Sequence, residues 1–132
     1  MAVGACDFAL SQTLDYVKER KAFGQRIMDF QNTRFTLAEA KTKLEVTRAF
    51  IDQCIDKVVK GELDAATASM AKWWGSQAQN EIVDECLQLF GGYGFMDEFP
   101  ISQLYADARV QKIYGGTNEI MKELIARSLD QA

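Results

Sequence analysis

Between residues 33 and 59 apolar side chains recur at heptad spacing. Leu37, Leu44, Ile51 and Val58 form one row, and Ala40, Thr47 and Cys54 fall at the complementary position. Charged residues fill much of the remaining surface, so the pattern predicts one long helix with a single buried seam. Upstream, Phe8, Leu14 and Val17 stand among small residues. They predict a helix over 3 to 19 that ends near Arg20 to Phe23, with Gly24 as its stop. GQRIMDFQ (24 to 31) reads as a connection. Lys60-Gly61-Glu62 closes the long helix, and Asp64 is placed to cap the next one.

Residues 65 to 90 are rich in alanine and carry Trp73, Trp74, Ile82, Val83, Leu87 and Phe90 on more than one face. Such a helix is buried from several sides. GGYG (91 to 94) breaks it, and Pro100 suits the first turn of a segment reaching about residue 112. Gly115-Gly116 breaks the pattern again, and Thr117 can cap a last helix running to about 129. No run reads as a strand. The expected architecture is all-α: one domain over 1 to 132, an up-down bundle of four-helix type with a short extra helix.

Composition narrows the chemistry. With 132 residues, 48% hydrophobic, the chain can bury a core. Its single proline agrees with a mostly helical chain. A formal net charge of −4 argues against a nucleic-acid surface, and the KERK run (18 to 21) is short and flanked by acids. No apolar run is long enough for a membrane span. The three cysteines, Cys6, Cys54 and Cys86, lie on helical apolar stripes without a CxxC pair. They read as small core residues in a reducing compartment. The absence of histidine removes Ser-His-Asp and Cys-His machinery and the Glu-x-x-His di-iron motif. No cluster suggests a metal site.

Three short stretches carry candidate chemistry. In ERKAFG (19 to 24), with Gln31 beyond it, Arg20 at a helix end can grip a phosphate with its planar fork, and Phe23 can pack against a flat ring. The alternative is a solvated basic helix end that complements the dipole. In QLFGGYGF (88 to 95) the glycines let another molecule approach the backbone and leave N–H groups free; a tight turn explains them equally well. In IYGGTNEI (113 to 120), Thr117 and Glu119 occupy the first turn of a helix whose N–H groups suit an anion, or simply cap that helix.

Together and in this order, these stretches resemble the C-terminal helical domain of the acyl-CoA dehydrogenases, a family of FAD flavoproteins, and its long-chain members most closely. YVKERKAFGQRI…FQ (16 to 31), ASMAKWW (68 to 74), DECLQLFGGYGFM (84 to 96) and YADARVQKIYGGTNEIMKELIAR (105 to 127) carry the resemblance. It spans nearly the whole chain. It implies a parent protein with an N-terminal helical domain and a middle β-domain in addition to this bundle.

The resemblance implies site residues. Arg20 meets the FAD pyrophosphate, and Phe23 and Gln31 lie near the adenine half. Gln88, Leu89, Phe90, Gly91 and Gly92 line the same FAD from the neighbouring chain. Thr117 and Glu119 meet FAD in their own subunit. Tyr114, Gly115 and Gly116 border the acyl-thioester pocket. The implied reaction is α,β-dehydrogenation of a fatty acyl-CoA, with an electron-transfer flavoprotein as oxidant. The implied assembly is a homo-oligomer, dimer or tetramer, in a bacterial cytoplasm or a mitochondrial matrix. Many members carry a catalytic glutamate directly after the tyrosine, where this chain has Gly115. Long-chain and isovaleryl-type members place it on the first helix of this domain, which puts it about two helical turns upstream of Met1. Asp7, Glu19 and Glu119 match neither position. The expectation is therefore a domain fragment without its base, inactive alone, with Met1 an engineered or mis-called start inside that helix. Where close relatives often have histidine before the GGYG stretch, this chain has Phe90. Two rivals remain: a self-associating helical module without nucleotide preference, and an acyl-CoA oxidase or nitroalkane-oxidase-like relative.

Overall fold

The computed structural model describes residues 1–130. Five helices dominate: α1 (Ala2–Glu19), α2 (Gln31–Lys60), α3 (Ala65–Phe90), α4 (Pro100–Val110) and α5 (Asn118–Asp130). Cross-helix pairs fix their directions. Thr47 meets Trp74 and Lys43 meets Glu81, so α2 and α3 run antiparallel. Ala2 lies against Gly75 and Tyr16 against Phe90, so α1 and α3 run parallel. Phe99 packs on Phe90 and Ala108 accepts from Asn80, which sets α4 antiparallel to α3. The first four helices thus alternate up and down, as the pattern predicts. Helix α3 touches each of the other four, which accounts for its apolar residues on several faces.

The seam of α2 is partly as expected. Leu37, Ala40, Leu44, Thr47 and Cys54 are buried. Ile51 is half-buried and Val58 is exposed. A helix of 30 residues extends about 45 Å, against about 27 Å for the 18 residues of α1. In α1 the small residues form the seam: Cys6, Ala9, Leu10, Thr13 and Val17 are buried, whereas Phe8 faces outward. Gly61 ends α2 in the left-handed conformation and Asp64 caps α3 by accepting the Thr67 N–H at 2.8 Å. Cys6, Cys54 and Cys86 are buried free thiols.

Two expectations fail at the first connection, Gly24 as the helix stop and the absence of any strand. Gly24 does not stop α1. The helix ends at Arg20, whose backbone is extended and whose N–H donates to the Tyr16 carbonyl at 2.8 Å. The chain then forms an antiparallel hairpin, β1 (Lys21–Ala22) on β2 (Gln25–Arg26). Phe23 and Gly24 make its turn, both with positive φ, 54° and 81°. A two-residue hairpin of this twist requires both central residues in that region. A short 3-10 turn (Ile27–Asp29) leads into α2, so the expected plain connection is an ordered corner. Ionic contacts pin it: Arg26 clasps Asp29 and Arg34 donates to the Asp29 carbonyl at 2.8 Å.

Candidate functional site

The hairpin corner and the C-terminal end of α3 border an open cavity of about 820 Å³, in the size range of cofactor sites. Arg20, Phe23, Gln88, Leu89, Phe90, Gly91 and Gly92 all line it. Two sequence stretches that read separately as candidate sites thus face one space from one chain. Gln31 does not line it; its neighbours Phe30 and Asn32 do.

Arg20 is the only charged residue on these walls, and it makes no ion pair among the described residues. On a chain of net charge −4, that leaves one free guanidinium facing an otherwise neutral recess. Its carbon sits 5.4 Å above the centre of the Tyr93 ring. Phe23 is 97% exposed and meets Phe30 edge to face at 6.4 Å. A bulky aromatic in the left-handed region is strained, and here it gains almost no burial in return.

The floor is aromatic. Tyr16 stacks on Phe90 with ring centroids 4.3 Å apart and donates its hydroxyl to the Phe90 carbonyl at 3.2 Å. Burial pushes the Tyr16 phenol up from its ordinary pKa, with Arg20 opposing. Phe99 closes the cluster, 5.9 Å from Phe90 and 5.3 Å from Tyr93. Sequence reasoning passed over Tyr16 and Tyr93. The available signals were Tyr16 one helical turn before Arg20 and Tyr93 as the one non-glycine of GGYG.

The glycines have different reasons. Gly94 is buried, and a Cβ there would stand 2.6 Å from the Leu87 carbonyl. Gly91 has φ 60°, ψ −138°, a conformation open essentially to glycine alone. Its N–H is spent on the Gln88 carbonyl, so the expectation of free N–H groups fails at this position. Gly92 has neither a positive φ nor any neighbour within 4 Å of a built Cβ. Nothing within the chain demands glycine there. A missing side chain that opens backbone onto a cavity beside a free arginine suits close approach by a flat or phosphate-bearing ligand.

Thr117, Glu119, Tyr114, Gly115 and Gly116 do not join this cavity. They form the loop and helix start before α5, beside the N-terminal half of α3. Lys72 to Gln79 lie roughly 15–25 Å along that helix from Gln88 to Phe90. Tyr114 and Gly115 line a second cavity of about 460 Å³ together with Lys72, Ser76, Gln79 and the first residues of α1. Gly116 and Thr117 lie outside its lining. Gly115 and Gly116 have φ of 64° and 91°. Thr117 caps the helix weakly, its hydroxyl accepting the Ile120 N–H at 3.3 Å. The residue that holds this loop is one the sequence did not single out. Asn118 is buried, and its Oδ1 accepts from Lys72 Nζ and Ser76 Oγ, both at 2.9 Å. Burial lowers the pKa of Lys72, with Glu119 opposing. Asn118 Nδ2 and Gln79 Oε1 are buried without a partner among the described residues.

Comparison with known proteins follows the same lines. The family model of the acyl-CoA dehydrogenase C-terminal domain matches residues 1–129. The mitochondrial long-chain specific acyl-CoA dehydrogenase of Mus musculus is 54% identical over 129 residues, covering 98% of this chain and 30% of that protein. The crystal structure of an acyl-CoA dehydrogenase from Geobacillus kaustophilus superposes with TM-score 0.94 at 43% identity, over 98% of this chain and 34% of the other. A solved structure described as the FAD complex of PigA superposes with TM-score 0.90 at 30% identity, over 98% of this chain and 34% of that one. The chain belongs to the acyl-CoA dehydrogenase family and corresponds to its C-terminal domain. It spans about a third of the length of these relatives.

Proposed function

We propose that this chain is the FAD-binding and oligomerising C-terminal domain of an enzyme that converts fatty acyl-CoA to trans-2-enoyl-CoA. One observation carries the reading: a single unpaired arginine, an exposed aromatic held in the left-handed region and a side-chain-free Gly92 all face one cavity. Arg20 would grip the pyrophosphate edge-on with its fork. Phe23 would cover the adenine, and Gly91–Gly92 would let the dinucleotide lie close to the backbone. The flavin, when bound, supplies the hydride acceptor for the acyl β-carbon.

The separation of the two cavities supports two roles. Arg20 and Gln88 to Gly92 would serve an FAD shared with a second copy of the chain. Thr117 and Glu119, at the α5 start, would serve the FAD of their own subunit. Tyr114 to Gly116 would border the thioester. Gly115 offers no carboxylate to abstract the α-proton, so the base comes from elsewhere in the parent protein. Reoxidation would fall to an electron-transfer flavoprotein, in a bacterial cytoplasm or mitochondrial matrix. No helix among the described residues is long and apolar enough to cross a membrane.

Calorimetric titration of the purified chain with FAD, with FMN as control, tests this reading. FAD binding without FMN binding, abolished by Arg20→Ala, supports it. Equal binding of both, or of neither, contradicts an adenine-pyrophosphate half-site in this chain.

A further inference from the structure

The tyrosine of GGYG is left without a task by the reading above, yet it occupies a particular place. Its ring is wedged by Phe99 at 5.3 Å and by Tyr16, edge on, at 6.4 Å. Its other contact is the Arg20 guanidinium, 5.4 Å from the ring centre. Arg20 is exposed and has no carboxylate partner among the described residues. A long, unpaired arginine at a helix end normally samples many rotamers, and binding with it means ordering it first. A ring over the guanidinium face attracts the cation while leaving the N–H edge open.

We propose that Tyr93 is a positioning residue that holds Arg20 ready to receive a phosphate. The ring takes the guanidinium face, and the in-plane donors stay available to the cavity. Phe99 and Tyr16 keep the ring itself in place, so the aromatic cluster preorganises the one cation of the site. This rests on the nucleotide-site reading, and its ligand class is the diphosphate of an adenine dinucleotide. The face, and not the phenol hydroxyl, is the working part: Tyr93 donates no side-chain hydrogen bond among those of the described residues.

The test is a double-mutant cycle in the full chain with ADP as the probe and adenosine as the phosphate-free control. Tyr93→Phe is expected to retain ADP affinity. Tyr93→Leu is expected to weaken ADP roughly two- to fivefold, the range of an exposed cation–π contact, and to leave adenosine unchanged. In an Arg20→Met background the Tyr93→Leu effect should vanish. An equal loss for adenosine, an undiminished loss in the Arg20→Met background, or wild-type affinity in Tyr93→Leu would overturn the proposal. A second measurement separates it from the reading beneath it. In the ligand-free chain the Arg20 side-chain proton resonances should be shifted upfield by the ring current, in wild type and Tyr93→Phe but not in Tyr93→Leu. If wild type binds no ADP, the nucleotide reading falls, and with it the role of Tyr93. If ADP binds but that shift is absent in wild type, the nucleotide reading stands and Tyr93 does not hold Arg20.

Discussion

The Tyr16 hydroxyl donates to the Phe90 carbonyl at 3.2 Å while the two rings stack at 4.3 Å. This pairs the last turn of α1 with the last residue of α3, the residue that launches the glycine turn. Helix ends leave carbonyls without intrahelical partners, and here a side chain from another helix satisfies one. Tyr16→Phe removes the bond and keeps the stack. The expected loss is about 1 kcal/mol of unfolding free energy, read by urea denaturation, with a smaller loss in Tyr16→Phe than in Tyr16→Ala.

Gly92 and Gly94, two positions apart in sequence, should behave oppositely. Gly94→Ala places a methyl 2.6 Å from the Leu87 carbonyl and should lower the melting temperature. Gly92→Ala meets nothing in the chain and should leave melting unchanged. If Gly92 is bare for a ligand's sake, the same substitution should weaken FAD binding. Unchanged binding in a folded Gly92→Ala chain would mean that the ligand does not pass over this backbone.

How much of this was legible in the sequence depends on what each signal needs. Helix α3 was readable end to end because Asp64 and the GGYG glycines punctuate it. The hairpin at 21 to 26 was not, because strands of two residues have no periodicity and a Phe-Gly turn looks like a helix stop. Phe23 in the left-handed region is a strained choice that no propensity argument would make. Val58 continues the heptad row and yet is exposed, because periodicity marks a seam without stating what covers each turn of it. Arg20 and the 88–92 stretch were each legible as candidates. That they share a cavity, while Thr117 and Glu119 stand at the far end of α3, is tertiary information. The roles of Tyr93 and Asn118 lie in contacts made by folding: a ring under Arg20, and an acceptor for two donors of α3.

Acid should act through Glu81. Its bond to Lys43 holds the carboxyl below the ordinary glutamate range, helped by a hydrogen bond from Gln77 and opposed by partial burial. A depressed folded-state pKa means the stabilisation is fully present above the unfolded value, about 4.5, and is lost as pH falls through the lower folded value. Glu81→Gln should therefore flatten the acid limb of a stability-versus-pH curve. An unaltered limb would show that the α2–α3 ion pair contributes nothing measurable.

Base should act through the buried thiols. Burial pushes Cys6 up to about 12, and Cys86 is also raised. Because the folded value exceeds the unfolded one, stability is intact below about 9 and declines as pH climbs toward 12. At pH 8 iodoacetamide should label neither thiol in the native chain and both in urea, read by mass spectrometry. Rapid native labelling of Cys6 would contradict its place in the core.

Amide chemical-shift mapping of the isotopically labelled chain with ADP reads where a nucleotide sits, and so tests the hairpin–glycine cavity as its site. Shifts are expected at Arg20, Phe23, Gly91 and Gly92, lost in Arg20→Ala. Shifts confined to residues 114–119, or none at saturating ADP, would contradict the assignment of the hairpin–glycine cavity as a nucleotide half-site.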